Sequence, residues 1–257
     1  MSNHADLRFA HELADAADLI TLDRFRALDL LVQTKSDLTP VSDADRATEE
    51  AIRGLVAQKR RGESVLGEEL GGQSAEARWI VDPIDGTRNY VRGIPVWATL
   101  LALERDGRVE IALVSAPALA RRWWAVRGEG AWADGAPCRV STVASLTDSV
   151  VSTTSAPAMP TGWTALSAQA GSSRGFGDFW QHCLVAEGAL EVATDAELAL
   201  WDYAAIQLLV AEAGGRCSTF TGGAPSPGES FLSTNGVLHD EVVALLGEAT
   251  PGSSRAS

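Results

Sequence analysis

The sequence predicts an α+β protein in two parts, with helices on a largely antiparallel sheet first and an alternating α/β part after it. Three patterns predict this class. Apolar residues recur at helical spacing from Leu7, strands and turns alternate from Val96 onward, and strands alternate with helices after about Thr147. We therefore expect an N-terminal half at residues 1–146, a C-terminal half at 147–250 and a small, polar, disordered tail at 251–257.

The first half begins with two predicted helices. Apolar spacing indicates a long amphipathic helix over about residues 7–31. A polar segment with a proline breaks this pattern, and Ser42 with the next residue then offers caps for a helix over 43–59. Short buried strands are predicted at 64–66 and 79–81, and each ends in acidic residues.

The rest of the first half is predicted as sheet, and the second half alternates. Two strands over residues 96–116 are joined by an Asp-Gly turn, which is typical of a hairpin, and strands and turns continue to about residue 140. In the second half, strands are predicted at 149–152, 190–193, 216–218 and 231–233, and helices at 179–188, 203–213 and 239–246.

Composition narrows the class of partner. The chain has 257 residues, of which 46% are hydrophobic, so it is long enough to bury a full core. Its net charge of -13 would repel nucleic-acid phosphates, which excludes nucleic acid as a partner. No apolar run approaches the roughly 20 residues that span a bilayer, so no membrane partner is expected. Three widely spaced cysteines and the absence of a signal segment favour free thiols and a cytoplasmic location.

The strongest local signal is a buried strand that runs directly into two carboxylates. Asp82 and Asp85 lie three residues apart and are followed by Gly86 and Thr87. Carboxylate oxygens are preferred ligands of Mg²⁺, and backbone N–H groups at the start of a helix favour an anion such as phosphate. Taken alone, the same residues could be a strand-end cap followed by an ordinary Asp-Gly turn.

Other carboxylates stand at comparable places. Glu68 and Glu69 also end a predicted buried strand, while Asp45 and Asp202 lie at the starts of predicted helices. Helix capping or the helix dipole would account for either of the last two by itself. Several acids at the ends of buried elements repel one another unless cations hold them, so the set predicts a cation site.

These segments together resemble the inositol monophosphatase-like superfamily of Mg²⁺-dependent, Li⁺-sensitive phosphatases. Its two signatures correspond to residues 79–90 and to 200–205 with 213–215, and the supporting acidic segments 67–69 and 35–45 fall in the expected order. The resemblance implies a layered αβαβα sandwich of the inositol monophosphatase and fructose-1,6-bisphosphatase type, with the active site between the two halves. It also implies a homodimer.

The resemblance further implies two to three Mg²⁺ ions per active site. Glu68, Asp82 and the carbonyl of Ile84 would hold one ion. Asp82, Asp85 and Asp202 would hold a second, with Asp82 bridging the two. Glu68 would also help to hold a third ion.

The same resemblance assigns the remaining catalytic roles. Thr87 and Asp45 would orient the attacking water, and together with Glu68 they are the expected catalytic residues. Asp85, Gly86 and Thr87 would bind the phosphate. Because metal-assisted hydrolysis needs no side-chain nucleophile, the four histidines are expected to be surface or packing residues.

Substrate choice is expected to depend on residues near the leaving group. Residues 89–99 and 174–190 resemble the histidinol-phosphate phosphatase branch of the family. Histidinol carries an ammonium group and an imidazole, which suit a pocket with additional carboxylates. The expected substrate-binding residues are Asn89, Gly177, Asp178, Asp195 and Glu197. A helix N-cap for Asp178 and a solvated turn for the last two are the alternatives.

The expected reaction is Mg²⁺-dependent hydrolysis of L-histidinol phosphate, a small phosphorylated metabolite, in histidine biosynthesis. Inositol-1-phosphate or a related sugar phosphate is the alternative within the same class, because an inositol pocket also uses acidic groups. A phosphometabolite sensor without turnover is the alternative from a different class.

Overall fold

The computed structural model describes residues 3–35, 39–73 and 75–247. Its helices are α1 Asn3–Arg24, α2 Asp43–Lys59, α3 Thr87–Val91, α4 Gly162–Gln169, α5 Asp178–Ala186, α6 Leu200–Glu212 and α7 His239–Gly247. Its strands are β1 Val32–Thr34, β2 Pro40–Ser42, β3 Ser64–Gly67, β4 Ala77–Asp85, β5 Ala98–Arg105, β6 Arg108–Ala116, β7 Arg121–Val126, β8 Gly130–Ala133, β9 Ala136–Pro137, β10 Val150–Thr153, β11 Ser172–Arg174, β12 Val192–Leu198, β13 Arg216–Ser218 and β14 Glu229–Thr234.

Two large sheets organise the described chain. The first has seven strands in the order β3-β4-β5-β6-β7-β8-β9, antiparallel except for the parallel β3–β4 pair. The second has five strands in the order β11-β10-β12-β14-β13 and mixes parallel with antiparallel pairs. The predicted sequence of a largely antiparallel part and a later α/β part is confirmed.

Helices fill the spaces around these sheets and complete five layers. One core joins α1 and α2 to the outer face of the first sheet, through residues such as Leu13 and Trp79. A second joins both sheets to α5 and α6, which lie between them. A third packs α4 and α7 against the far face of the second sheet, around Trp163 and Val242. The αβαβα sandwich is therefore the observed architecture.

Most predicted elements are present, but the first helix is not as long as expected. It ends at Arg24 rather than near residue 31. The chain then turns at Arg26, where φ is 63°, so that Phe25 packs against Tyr90 and Trp97. The residues that make this aromatic contact are far apart in the sequence, so helical spacing could not reveal it. The predicted second helix and its Ser42 N-cap are confirmed.

Several shorter elements were not predicted from the sequence. They are β1, β2, β11 and α4. The first run of strands was expected to end at about residue 140, and in the structure it ends slightly earlier, with β9. The predicted disordered tail at 251–257 lies outside the described residues.

The alternation of side chains along β4 directs the candidate carboxylates toward the middle helical layer. Trp79 and Val81 pack with α1 and α2, whereas Ile80 packs with the cluster that contains α5 and α6. Because alternate residues of a strand share a face, Asp82 points the same way as Ile80. Within the described part of the chain, none of the helices has the length and apolar character needed to cross a bilayer.

Candidate metal and phosphate site

Three of the predicted metal ligands meet where β4 ends and α6 begins. Asp82, Asp85 and Asp202 each offer a carboxylate oxygen, and these oxygens all lie within 4.8 Å of one another. The pairing of β4 with β5 shifts register between Asp82 and Asp85, so the strand is irregular where its two carboxylates emerge. Three oxygens at this separation can share a cation.

Hydrogen bonds from the backbone hold the carboxylates in place. The N–H of Ile84 donates to Asp82 Oδ1 at 3.0 Å, and the N–H of Ala199 donates to Asp202 Oδ2 at 2.7 Å. The N–H of Phe179, at the start of α5, donates to Asp85 Oδ2 at 2.7 Å. Each carboxylate thus keeps its other oxygen for a ligand.

The electrostatics of this cluster favour a bound cation. Burial, and then the negative charge of Glu68, raises the pKa of Asp82 well above its usual value. Burial and the charge of Asp178 do the same to the pKa of Asp85. Burial also raises the pKa of Asp202, to about 7. Placing negative charges together with little water costs free energy that a divalent cation offsets. The chemistry of the donor set therefore fits Mg²⁺.

Glu68 lies beside this cluster and is paired with a lysine. Lys35 Nζ donates to Glu68 Oε1 at 2.6 Å and to Glu69 Oε1 at 2.5 Å. The turn that follows β3 is held by the buried carboxylate of Glu49, which accepts the N–H of Glu69 at 2.8 Å. The contact with Lys35 was not predicted from the sequence. Nothing in the spacing of these residues indicates it.

The segment after β4 brings the expected phosphate-binding and water-orienting groups together. Gly86 has φ 82°, and a Cβ there would lie 3.0 Å from the carbonyl oxygen of Val96, so glycine suits this position. Thr87 Oγ1 donates to the Ile84 carbonyl at 2.9 Å and lies 3.4 Å from Asp45 Oδ1. Asp45 Oδ2 accepts the N–H and the hydroxyl of Ser42 at 2.8 and 2.6 Å.

These groups open into a cavity of about 470 Å³. Thr154 and Trp201 belong to its wall, although neither was predicted as a site residue. Three further predicted site residues are not part of the wall but contact or adjoin residues that are: Asp45, Asn89 and Gly177. The predicted site residues in the wall are Glu68, Asp82, Ile84, Asp85, Gly86, Thr87, Asp178, Asp195, Glu197 and Asp202.

Asp178 is the first residue of α5 rather than its N-cap, which is Gly177. Its φ of 47° is left-handed, an uncommon conformation for a residue other than glycine. Asn89 Nδ2 donates to Asp178 Oδ2 at 2.8 Å and to the Val96 carbonyl at 2.9 Å. Burial, and then the charge of Asp195, raises the pKa of Asp178 to about 6. A carboxylate is thus held at the cavity wall.

Asp195 stands in the same wall and is held by α5. Gln181 Nε2 donates to Asp195 Oδ2 at 2.8 Å, and His182 Nε2 lies 2.8 Å from the same oxygen. His182 is buried, as a packing residue would be, but its hydrogen bond to a carboxylate of the cavity wall was not predicted from the sequence. Its contact joins α5 to β12, and such a pair cannot be found from sequence spacing.

The chain is similar in sequence to a known protein family. The profile of the inositol monophosphatase family matches residues 3–250. A histidinol-phosphatase of Mycobacterium tuberculosis is 49% identical over 95% of this chain and 98% of its own length. A histidinol-phosphatase of Streptomyces coelicolor is 47% identical over 95% and 97%.

A solved structure, an IMPase of Thermotoga maritima, superposes with a TM-score of 0.89 at 29% identity. The match covers 95% of this chain and 97% of that one. The sequence relatives, the shared fold and the carboxylates at the end of β4 lead to one conclusion: the chain is a phosphatase that belongs to the inositol monophosphatase family.

Proposed function

We propose that this phosphatase hydrolyses L-histidinol phosphate to L-histidinol and inorganic phosphate. The observation that carries the proposal is the acidic wall that Asp178, Asp195 and Glu197 add to the cavity of the candidate metal ligands. A leaving group with an ammonium and an imidazole complements such a wall, because charge-assisted hydrogen bonds to carboxylates are the strongest that side chains make. The names of the two sequence relatives described above support the same substrate.

Mg²⁺ is the cofactor that we propose, since the family is Mg²⁺-dependent and the carboxylate cluster fits it. Glu68, Asp82 and the Ile84 carbonyl would hold one ion, and Asp82, Asp85 and Asp202 a second. Glu68 would also take part in holding a third. When bound, the metal neutralises phosphate charge, activates water and stabilises the leaving alkoxide.

The side chains around the cluster would position the reactants. Thr87 and Asp45 would orient the attacking water, with Glu68 as a further acceptor for its protons. The hydroxyl of Thr87 lies close enough to Asp45 to share one hydrogen-bonded partner with it. Asp85, Gly86 and Thr87 would face the phosphate, and the positive φ of Gly86 allows the backbone to approach it.

Asp178, Asp195 and Glu197 would receive the leaving group. Asn89 and Gly177 would act on the substrate through Asp178, because Asn89 donates to its carboxylate and Gly177 precedes it at φ 73°. The same wall would also accept the hydroxyl groups of inositol-1-phosphate or a related sugar phosphate, which is the second candidate. A phosphometabolite sensor is the candidate outside enzymes. We further propose a cytoplasmic homodimer.

Phosphate release from L-histidinol phosphate and from inositol-1-phosphate, each with Mg²⁺ and with EDTA, tests the proposal. We expect EDTA-sensitive release with kcat/KM at least about tenfold higher for L-histidinol phosphate, because a lost charged hydrogen bond costs 1.5–3 kcal/mol. A preference for inositol-1-phosphate would be consistent with the proposed metal site but would overturn the proposed substrate. Metal binding without turnover of either ester would favour a sensor.

A further inference from the structure

A buried histidine adjoins the acidic wall of the cavity. His182 lies on α5 and is 2% exposed. Its Nδ1 lies 2.9 Å from the hydroxyl oxygen of Ser233, and its Nε2 lies 2.8 Å from Asp195 Oδ2. Cys217 Sγ lies 3.5 Å from the same hydroxyl oxygen. A carboxylate oxygen accepts hydrogen bonds, so Nε2 is the donor to Asp195.

Two donors from consecutive residues therefore converge on one oxygen of Asp195. Gln181 Nε2 also donates to Oδ2, at 2.8 Å. Both bonds leave Oδ1 as the acceptor for a ligand, and Asp195 lines the cavity although it is only 7% exposed. A carboxylate held through one oxygen in this way has little freedom to rotate, so the direction of its second oxygen is defined.

The histidine itself is held firmly. Its ring makes an edge contact with Phe231, with centroids 5.2 Å apart, and both of its nitrogens have partners. The helix that carries it also donates the N–H of Phe179 to Asp85. The same rigid element thus orients one candidate metal ligand and one carboxylate of the leaving-group wall.

We propose that His182, supported by Gln181, is a positioning residue that holds Asp195 in the orientation that selects a leaving group bearing an ammonium. The identity of that cation rests on the proposed function. A hydrogen bond weakens as donor and acceptor lose alignment, and fixing a mobile side chain on binding costs free energy, so a freely rotating Asp195 would bind the ammonium less well. Loss of His182 would therefore reduce discrimination between a cationic and an uncharged leaving group.

The test compares kcat/KM for L-histidinol phosphate with kcat/KM for glycerol 2-phosphate, which has no cation in its leaving group. In His182→Phe the ratio should fall about tenfold, mainly through KM for L-histidinol phosphate, as expected for one lost charged hydrogen bond. His182→Gln places an amide N–H near the position of Nε2 and should recover most of the ratio. Calorimetric titration with L-histidinol should show a parallel weakening in His182→Phe.

His239→Phe is the matched control, because His239 is also buried and hydrogen-bonds a threonine, Thr234, at 2.9 Å. Its ratio should equal that of the wild type. If His182→Phe does not fold, Gln181→Met removes the other donor and should lower the ratio in the same direction. If His182→Phe lowers kcat/KM equally for both esters, or for neither, the ratio is unchanged and the inference about His182 is overturned, while the proposed function stands. A wild type without preference for L-histidinol phosphate overturns the proposed function as well.

Discussion

Asp45 and Asp202 each lie in the first turn of a helix, and each accepts a hydrogen bond from the backbone N–H of the residue before that helix. Capping and ligand binding are therefore not competing explanations for these aspartates. One oxygen of each serves the helix, and the other lies toward Thr87 or toward the carboxylates of β4. A helix start is a suitable place for such groups because its dipole favours negative charge.

Asp202→Asn should separate catalysis from stability. The amide keeps an acceptor for Ala199 N–H but loses the charge, so phosphatase activity should fall on the order of 100-fold or more. In EDTA the variant should be more stable than the wild type by about 1 kcal/mol, because one member of a repelling buried group is neutralised. Phosphate release and urea unfolding at pH 8 measure the two effects.

Glu241→Gln is the matched control for that substitution, since Glu241 is exposed on α7. This substitution should change neither phosphatase activity nor stability in EDTA. Reduced stability of Asp202→Asn in EDTA would contradict the view that the carboxylates repel one another without metal.

At the scale of elements, a buried carboxylate on α1 joins three parts of the first half. Asp6 is fully buried, and it accepts from Arg60 at the end of α2 at 2.6 Å and from Arg105 at the end of β5 at 2.5 Å. Burial by itself would raise the pKa of Asp6, but the hydrogen bonds and charges of the two arginines lower it below its usual value. This network fixes how α1 packs on α2 and the sheet.

Asp6→Asn should lower the free energy of unfolding by about 3 kcal/mol at pH 7, as for a broken buried pair. An aspartate whose pKa is lower in the folded state than in the unfolded state stabilises the fold at pH values above its unfolded-state pKa of about 3.9. This stabilisation is lost as the pH falls through the lower folded-state pKa. The difference in free energy of unfolding between wild type and variant should therefore be constant from pH 8 to about pH 5 and become smaller below about pH 4. Urea unfolding across this range measures it.

Asp240→Asn removes a carboxylate whose partner is Arg216 at the surface, and it serves as the control. Its effect should stay within about 0.5 kcal/mol, because exposed ion pairs contribute little. An equal effect of the two substitutions would mean that the network around Asp6 adds nothing beyond a surface pair.

At the scale of the whole molecule, the cavity draws on both sheets and on the helices between them. β4 belongs to the seven-stranded sheet, whereas Asp195 comes from the five-stranded one. A ligand that binds the folded protein there must stabilise both parts together, because the unfolded chain does not assemble the site.

Mg²⁺ should therefore raise the stability of the whole protein. At about 100 times its dissociation constant, it should add about 2.7 kcal/mol to the free energy of unfolding, and EDTA should reverse this gain. The measurement is thermal or urea unfolding with Mg²⁺, with NaCl at matched ionic strength as the control. Asp202→Asn should show a smaller gain, and a wild type indifferent to Mg²⁺ would argue against the carboxylate cluster as the metal site.

The sequence alone determined the class of fold, most of the longer elements and the group of acidic residues at the ends of buried strands. Periodicity and turn chemistry are local, so they are visible in the order of residues. Tertiary structure decided where α1 ends, since Phe25 packs against Tyr90 and Trp97. It also decided which groups touch Asp195, because the 2.8 Å contact with His182 joins a helix to a strand 13 residues away. Contacts of this kind depend on how the layers stack, which no local pattern records.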